Sequence, residues 1–216
     1  MARPRQSEAD ILEQYRVSLN NAEAHPIISK ALAELGYNAE KLGEGKALYS
    51  TTRKLYDLNM VEDDQALAAY KLFGNTRNEL NILYRTHRKK AKVVFRKDPI
   101  MCSRLLISGY FPKAYIKWLE AVKKFYTELS GDETASKALL TLKVLPEELL
   151  KANLLIKAVE RTRAAYMVEK GESQDATDQK DIAFAKMDDW MHDFYAVARI
   201  ALEEHPQLIE ALGKHA

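Results

Sequence analysis

Large apolar residues recur at three- and four-residue spacing along almost the whole chain, a pattern that predicts an all-α protein. Ser7 with Asp10 three residues on reads as a capping box. Ile11, Leu12, Tyr15, Ser18, Leu19 and Ala22 then mark one face of a helix that ends near Ala24, before His25-Pro26. A short helix from Pro26 should stop at Gly36. From residue 38 to 97 there is no proline: Leu42, Gly45, Tyr49, Thr52 and Tyr56 share a face, widened by Leu48, Leu55 and Leu58, and a fresh stripe runs from Ala66 through Phe73, Leu80, Tyr84, His87 and Ala91 to Phe95.

The second half repeats the first. Sliding the chain by 107 residues brings Ser29-Lys30-Ala31-Leu32 onto Ser136-Lys137-Ala138-Leu139, Met60-Val61-Glu62 onto Met167-Val168-Glu169 and Pro99 onto Pro206, without a gap. A tandem duplication is expected, with repeats 1–107 and 108–216 inside a single all-helical domain 1–216. Both halves lose their stripe at the same aligned place: at Glu62-Asp63-Asp64, and in the polar stretch 170–180. One unbroken helix of about 60 residues would measure about 90 Å, far beyond a compact domain of this size. The expectation is therefore two hairpins of long helices, packed as an up-and-down antiparallel four-helix bundle with additional shorter helices.

Composition agrees with a globular helical chain: 47% hydrophobic and 30% charged residues, with only 8 Gly and 6 Pro. The net charge of +2 makes any electrostatic recognition a local matter. A single cysteine, Cys102, a polar opening stretch over residues 1 to 10 and the absence of a long apolar window predict a reduced, cytoplasmic protein with no membrane span.

Recognised chemistry is sparse. The chain holds no phosphate-binding glycine loop, no Gly-x-Ser-x-Gly and no Cys-x-x-Cys, so nothing proposes an enzyme, a cofactor or a metal. A carboxylate-bridged metal pair needs a carboxylate-x-x-His set on each of two helices, but Asp189-Trp190-Met191-His192 occurs once and its repeat position holds Arg85; Asp188 and His192, four apart on one helix, could share a metal or a hydrogen bond. Inward-facing Tyr49, Tyr56, Tyr70 and Tyr84 leave room for an aromatic-lined pocket for a small ligand.

One local anomaly remains. Residues 85 to 97 contain seven Lys or Arg and no acid, and Arg85, Arg88, Lys89, Lys92 and Arg96 fall on one face, a stripe able to track nucleic acid or another polyanion. The repeat places His192, Tyr195, Ala196, Arg199 and Glu203 there instead. The chain resembles small bacterial helical-bundle proteins in a general way that transfers no residue. The leading expectation is a non-enzymatic protein-interaction or assembly module, self-associating or docking through aromatic positions Tyr110, Phe111, Tyr115 and Trp118. Polyanion binding comes second, and metal or small-ligand binding third.

Overall fold

The computed structural model describes residues 6–213, so the first five residues of the polar opening stretch lie outside the described residues. Among the described residues every regular element is a helix: α1 (Glu8–Ala24), α2 (Pro26–Glu34), α3 (Ala39–Val94), α4 (Pro99–Arg104), α5 (Tyr115–Gly131), α6 (Glu133–Leu140), α7 (Pro146–Ala201) and α8 (Leu208–Ala211). No helix among them is long and apolar enough to cross a membrane.

The boundaries follow local chemistry. At α1 the Ser7 hydroxyl oxygen accepts the Asp10 N–H while the Asp10 carboxylate accepts the Ser7 N–H at 3.1 Å, closing the capping box. The Ser7 hydroxyl, 2.6 Å from the Asp10 carboxylate, and then the Ser7 N–H hold the Asp10 carboxyl below its usual pKa. Asp98 caps α4 by accepting the Met101 N–H at 2.9 Å, and Asp132 caps α6 by accepting the Ala135 N–H at 3.0 Å. Pro26 and Pro99 stand in the first turns of α2 and α4, where a missing N–H costs nothing.

The expected hairpins do not form. Helix α3 runs without interruption through Glu62, Asp63 and Asp64, and α7 runs through 170–180, each for 56 residues. The reason is that a lost apolar stripe is not a helix breaker. Neither stretch contains proline, Glu and Gln are good helix formers, and an exposed glycine such as Gly171 costs only about 1 kcal/mol. The four long antiparallel helices expected from two hairpins are thus two continuous helices.

The chain divides into two compact units along other lines than the expected repeats: unit 1 comprises 1–64 with 171–216, and unit 2 comprises 65–170. Unit 1 is built from α1, α2, the first part of α3, the last part of α7, and α8. Its core gathers Tyr15, Leu19, Ile28, Leu32, Leu42, Met187, Met191, Phe194 and Leu202. Gly45 is required there, because a Cβ would sit 2.6 Å from Cζ2 and 2.7 Å from Cζ3 of Trp190, whose ring stacks on Phe194. Toward its end of the long helices, large apolar contacts give way to polar ones: Asn59 donates to the Thr177 hydroxyl at 3.0 Å and Ser173 donates to Asp63 at 2.6 Å.

Unit 2 is built from the remainder of α3, α4, α5, α6 and the first part of α7, around Leu80, Tyr84, Trp118, Val122, Phe125, Tyr126, Leu129, Leu139, Ile156 and Val159. The helix limits keep the 107-residue offset. Glu8 and Tyr115 open α1 and α5, each of 17 residues, and Ala39 and Pro146 open α3 and α7.

Candidate functional site

The site grows from one face of α3 in unit 2. Phe73, Arg77, Asn81 and Arg85 recur every four residues, so a helix of 3.6 residues per turn brings all four onto one side. The segment Phe111 to Trp118, leading into α5, closes over that side. Together they line a cavity of about 510 Å³ whose walls include Phe73, Gly74, Arg77, Asn78, Asn81, Arg85, Phe111, Lys113 and Trp118.

Its aromatic wall is tightly keyed. Trp118 is 1% exposed, and its indole N–H donates to the Asn81 carbonyl oxygen at 3.1 Å. Phe73 meets Tyr115 edge-on at 5.7 Å between ring centroids. Two lining cations lie on lining rings: the Arg77 guanidinium is 5.3 Å from the Trp118 ring and that of Arg85 is 4.4 Å from the Phe111 ring, while behind the lining that of Arg163 is 4.2 Å from the Tyr115 ring. Among the described residues no carboxylate pairs with Arg77, Arg85, Lys113 or Arg163. The lining contains no acidic side chain. Asn81 accepts from Trp118 through its oxygen and keeps its amide N–H groups free to donate, and Asn78 adds a second side-chain amide, so the cavity presents positive charge and amide groups against apolar walls.

The basic stripe divides by role. Arg85, Lys89, Lys92 and Arg96 are exposed, whereas Arg88 is only 7% exposed. The Arg88 guanidinium donates to the carbonyl oxygens of Ile107 and Gly109, both at 3.1 Å, and Lys92 reaches the Gly109 oxygen at 3.5 Å. These contacts tie down the turn after α4, in which Leu106 holds a left-handed φ of 50°. Arg88 is therefore a structural clamp, and the outward stripe is a set of four.

The four aromatic candidates separate as well. Tyr110 is wholly exposed, Phe111 and Tyr115 are half-buried in the cavity region, and Trp118 is core. The rest of the aromatic face of α5, Phe125 and Tyr126, is buried inside unit 2.

His87 is fully buried. Its Nδ1 lies 3.0 Å from the Tyr126 hydroxyl and its Nε2 lies 3.5 Å from a Glu148 carboxylate oxygen. Burial pushes the His87 pKa down, against the pull of Glu148, and Lys90 adds to the downward shift. Glu148 also accepts the Leu145 N–H at 3.1 Å beside the start of α7, so this group knits helix ends and does not face the cavity. Asp188, a candidate metal ligand with His192, accepts the Tyr15 hydroxyl at 2.7 Å, while His192 is exposed. Burial first, and Asp188 second, raise the Tyr15 pKa far above its usual value.

Phe73 was read only as a position of the apolar stripe, and Arg77 and Asn81 were not singled out by sequence, because Arg77 stands two turns before the basic run. Their four-residue spacing was the available signal. Comparison of the chain with family models, with curated proteins and with solved structures found no match.

Proposed function

We propose that this chain is a binding protein that holds an organic anion in the cavity of unit 2. One observation carries the reading: cations without carboxylate partners stand over aromatic rings that line a cavity. Bringing positive charges together without acids costs stability unless a ligand or solvent answers them, and positive charge with amide donors on apolar walls suits an anion with an apolar body. The exposed Arg85, Lys89, Lys92 and Arg96 supply a positive field at the same end of α3, which raises the encounter rate for anions.

The test is calorimetric titration of the whole chain with benzoate and with its neutral analogue benzamide. Saturable benzoate binding that weakens with salt and in Arg85→Gln is expected. Equal binding of benzamide, or no benzoate binding, contradicts the reading.

A second reading, an interaction or assembly module, is favoured by Tyr110, fully exposed, with Ile116 68% exposed six residues on. If those residues mediate self-association, Tyr110→Ser lowers the mass measured by sedimentation; an unchanged mass removes this reading. For the polyanion reading, nucleic-acid retention measured against salt in a chain with Lys89 and Lys92 changed to Ser is the corresponding check.

We infer, further, that the scaffold is a tandem duplication. The shared helix limits support it, as does the make-up of the units. Each unit takes a long helix's first part with two preceding helices from one repeat, and the other long helix's last part with a following short helix from the other. The corresponding cuts, after Asp64 and after Lys170, agree with the 107-residue offset to within one residue.

A further inference from the structure

We propose that the cavity of unit 2 is built for an elongated dianion, an apolar body with an acidic group at each end; this rests on the anion-binding reading above and adds the number and spacing of charges. Arg77 and Arg85 are eight residues apart on α3, about 12 Å along the helix axis at 1.5 Å per residue. The nearest ring differs for each guanidinium: Arg77 lies 5.3 Å from Trp118, with Tyr115 at 5.7 Å, and Arg85 lies 4.4 Å from Phe111, which the clamped Arg88 also approaches at 5.8 Å. The two nearest rings come from opposite ends of the segment that closes the cavity. The positive charge is thus placed as two separate heads and not as one cluster.

A guanidinium resting on a ring face keeps the N–H groups along its own edge free, and that fork matches a carboxylate bidentately. One compact anion cannot satisfy two forks so far apart without pulling at least one off its ring. A rigid body with a carboxylate at each end can meet both. Asn81 lies midway, four residues from each arginine, and its carbonyl oxygen is held by the Trp118 indole, so the middle of the site offers an amide donor beside apolar wall. Lys113, exposed on the closing segment, adds a further unpaired cation at the rim.

The aligned positions in unit 1 show the alternative. There Phe184, Asp188 and His192 replace Arg77, Asn81 and Arg85, and Asp188 is consumed by Tyr15. The same scaffold with those residues has no pair of cationic heads.

The experiment compares benzoate, terephthalate and pyrophosphate by calorimetry on the whole chain and on Arg77→Gln and Arg85→Gln, with thermal melts to confirm that both variants fold. Terephthalate is expected to bind at least about tenfold more tightly than benzoate, a difference of about 1.4 kcal/mol. Each single substitution should bring terephthalate back to the benzoate level while changing benzoate less. If benzoate binds and terephthalate binds no better, the dianion proposal is wrong and the anion-binding reading stands. If pyrophosphate, two charges in one compact group, outcompetes terephthalate, the spaced-head geometry is likewise overturned. Failure of all three ligands to bind removes both.

Discussion

Units 1 and 2 share a helical frame at a fixed offset, and they spend its equivalent positions differently. Where unit 2 sets Phe73 against Tyr115, unit 1 has Lys180 and Glu8, with the Lys180 ammonium 2.9 Å from both carboxylate oxygens. Burial works to lower the Lys180 pKa, but the hydrogen bond and charge of Glu8 outweigh it and leave it raised. Where unit 2 buries the hydrogen-bonded His87 and Tyr126, unit 1 has Phe194 and Leu19. The turns after the short helices differ in the same sense. Gly36 and Gly213 hold left-handed φ values of 90° and 69°, whereas their counterparts Lys143 and Leu106 hold 56° and 50° with a side chain present. At these positions unit 1 has a paired charge, apolar contacts and relaxed glycine turns. Unit 2 has at these positions a pair of rings, a buried hydrogen-bonded histidine and strained turns, the kind of local inconsistency expected where a surface serves something other than stability.

The contrast can be broken at several points. The largest effect is expected from Gly45→Ala, which drives a methyl into the Trp190 ring and should cost about 1–3 kcal/mol, read as a fall in thermal midpoint. Unit 2 has Ala152 and Leu83 at these two positions, so adding Trp190→Leu should recover much of the loss. No recovery would mean that the two units are not interchangeable there.

Exchanging the turn residues comes next. Lys143→Gly should stabilise by about 1 kcal/mol and Gly36→Lys should destabilise by a similar amount, because a left-handed backbone is disfavoured for a residue with a Cβ. Denaturant midpoints moving the same way for both exchanges would refute this account of the turns.

His87 gives a pH signature. Its pKa is lower folded than unfolded, so the unfolded chain binds the proton more readily. The stabilising contribution is present above the unfolded value near 6.5 and is lost as pH falls below that value through the folded pKa. Thermal midpoints should therefore drop more between neutral and mildly acidic pH in the natural chain than in His87→Gln; parallel curves would show that His87 does not titrate with unfolding. The smallest stability effect belongs to Arg85→Gln, expected within about 0.5 kcal/mol because the side chain is exposed, even though ligand binding should suffer.

How much was legible in the sequence depends on whether partners lie nearby along the chain. The caps at Ser7 and the proline starts were readable because they are local. The hairpins were misread because the vanishing of large apolar residues after Glu62 looked like a bend. In the structure it marks a change to small and polar contacts such as Asn59 with Thr177, which periodicity of large side chains does not register. Arg88 shared the helical spacing of an outward stripe, yet its partners are backbone oxygens of Ile107 and Gly109, which carry no sequence signal. The cavity was only half visible: Arg85, Phe111 and Trp118 were named for separate reasons, and nothing in the pattern placed a guanidinium from α3 over a ring from the segment before α5.

The chain has two tryptophans, one for each unit, and this makes the central claim directly measurable. Trp118 lies against the cavity with its indole N–H on Asn81, and Trp190 stacks on Phe194 in unit 1. In a heteronuclear NMR titration with terephthalate, the Trp118 indole N–H signal should shift progressively to saturation while that of Trp190 stays in place. Movement of Trp190 in place of Trp118, or of neither, would contradict the assignment of the binding site to unit 2.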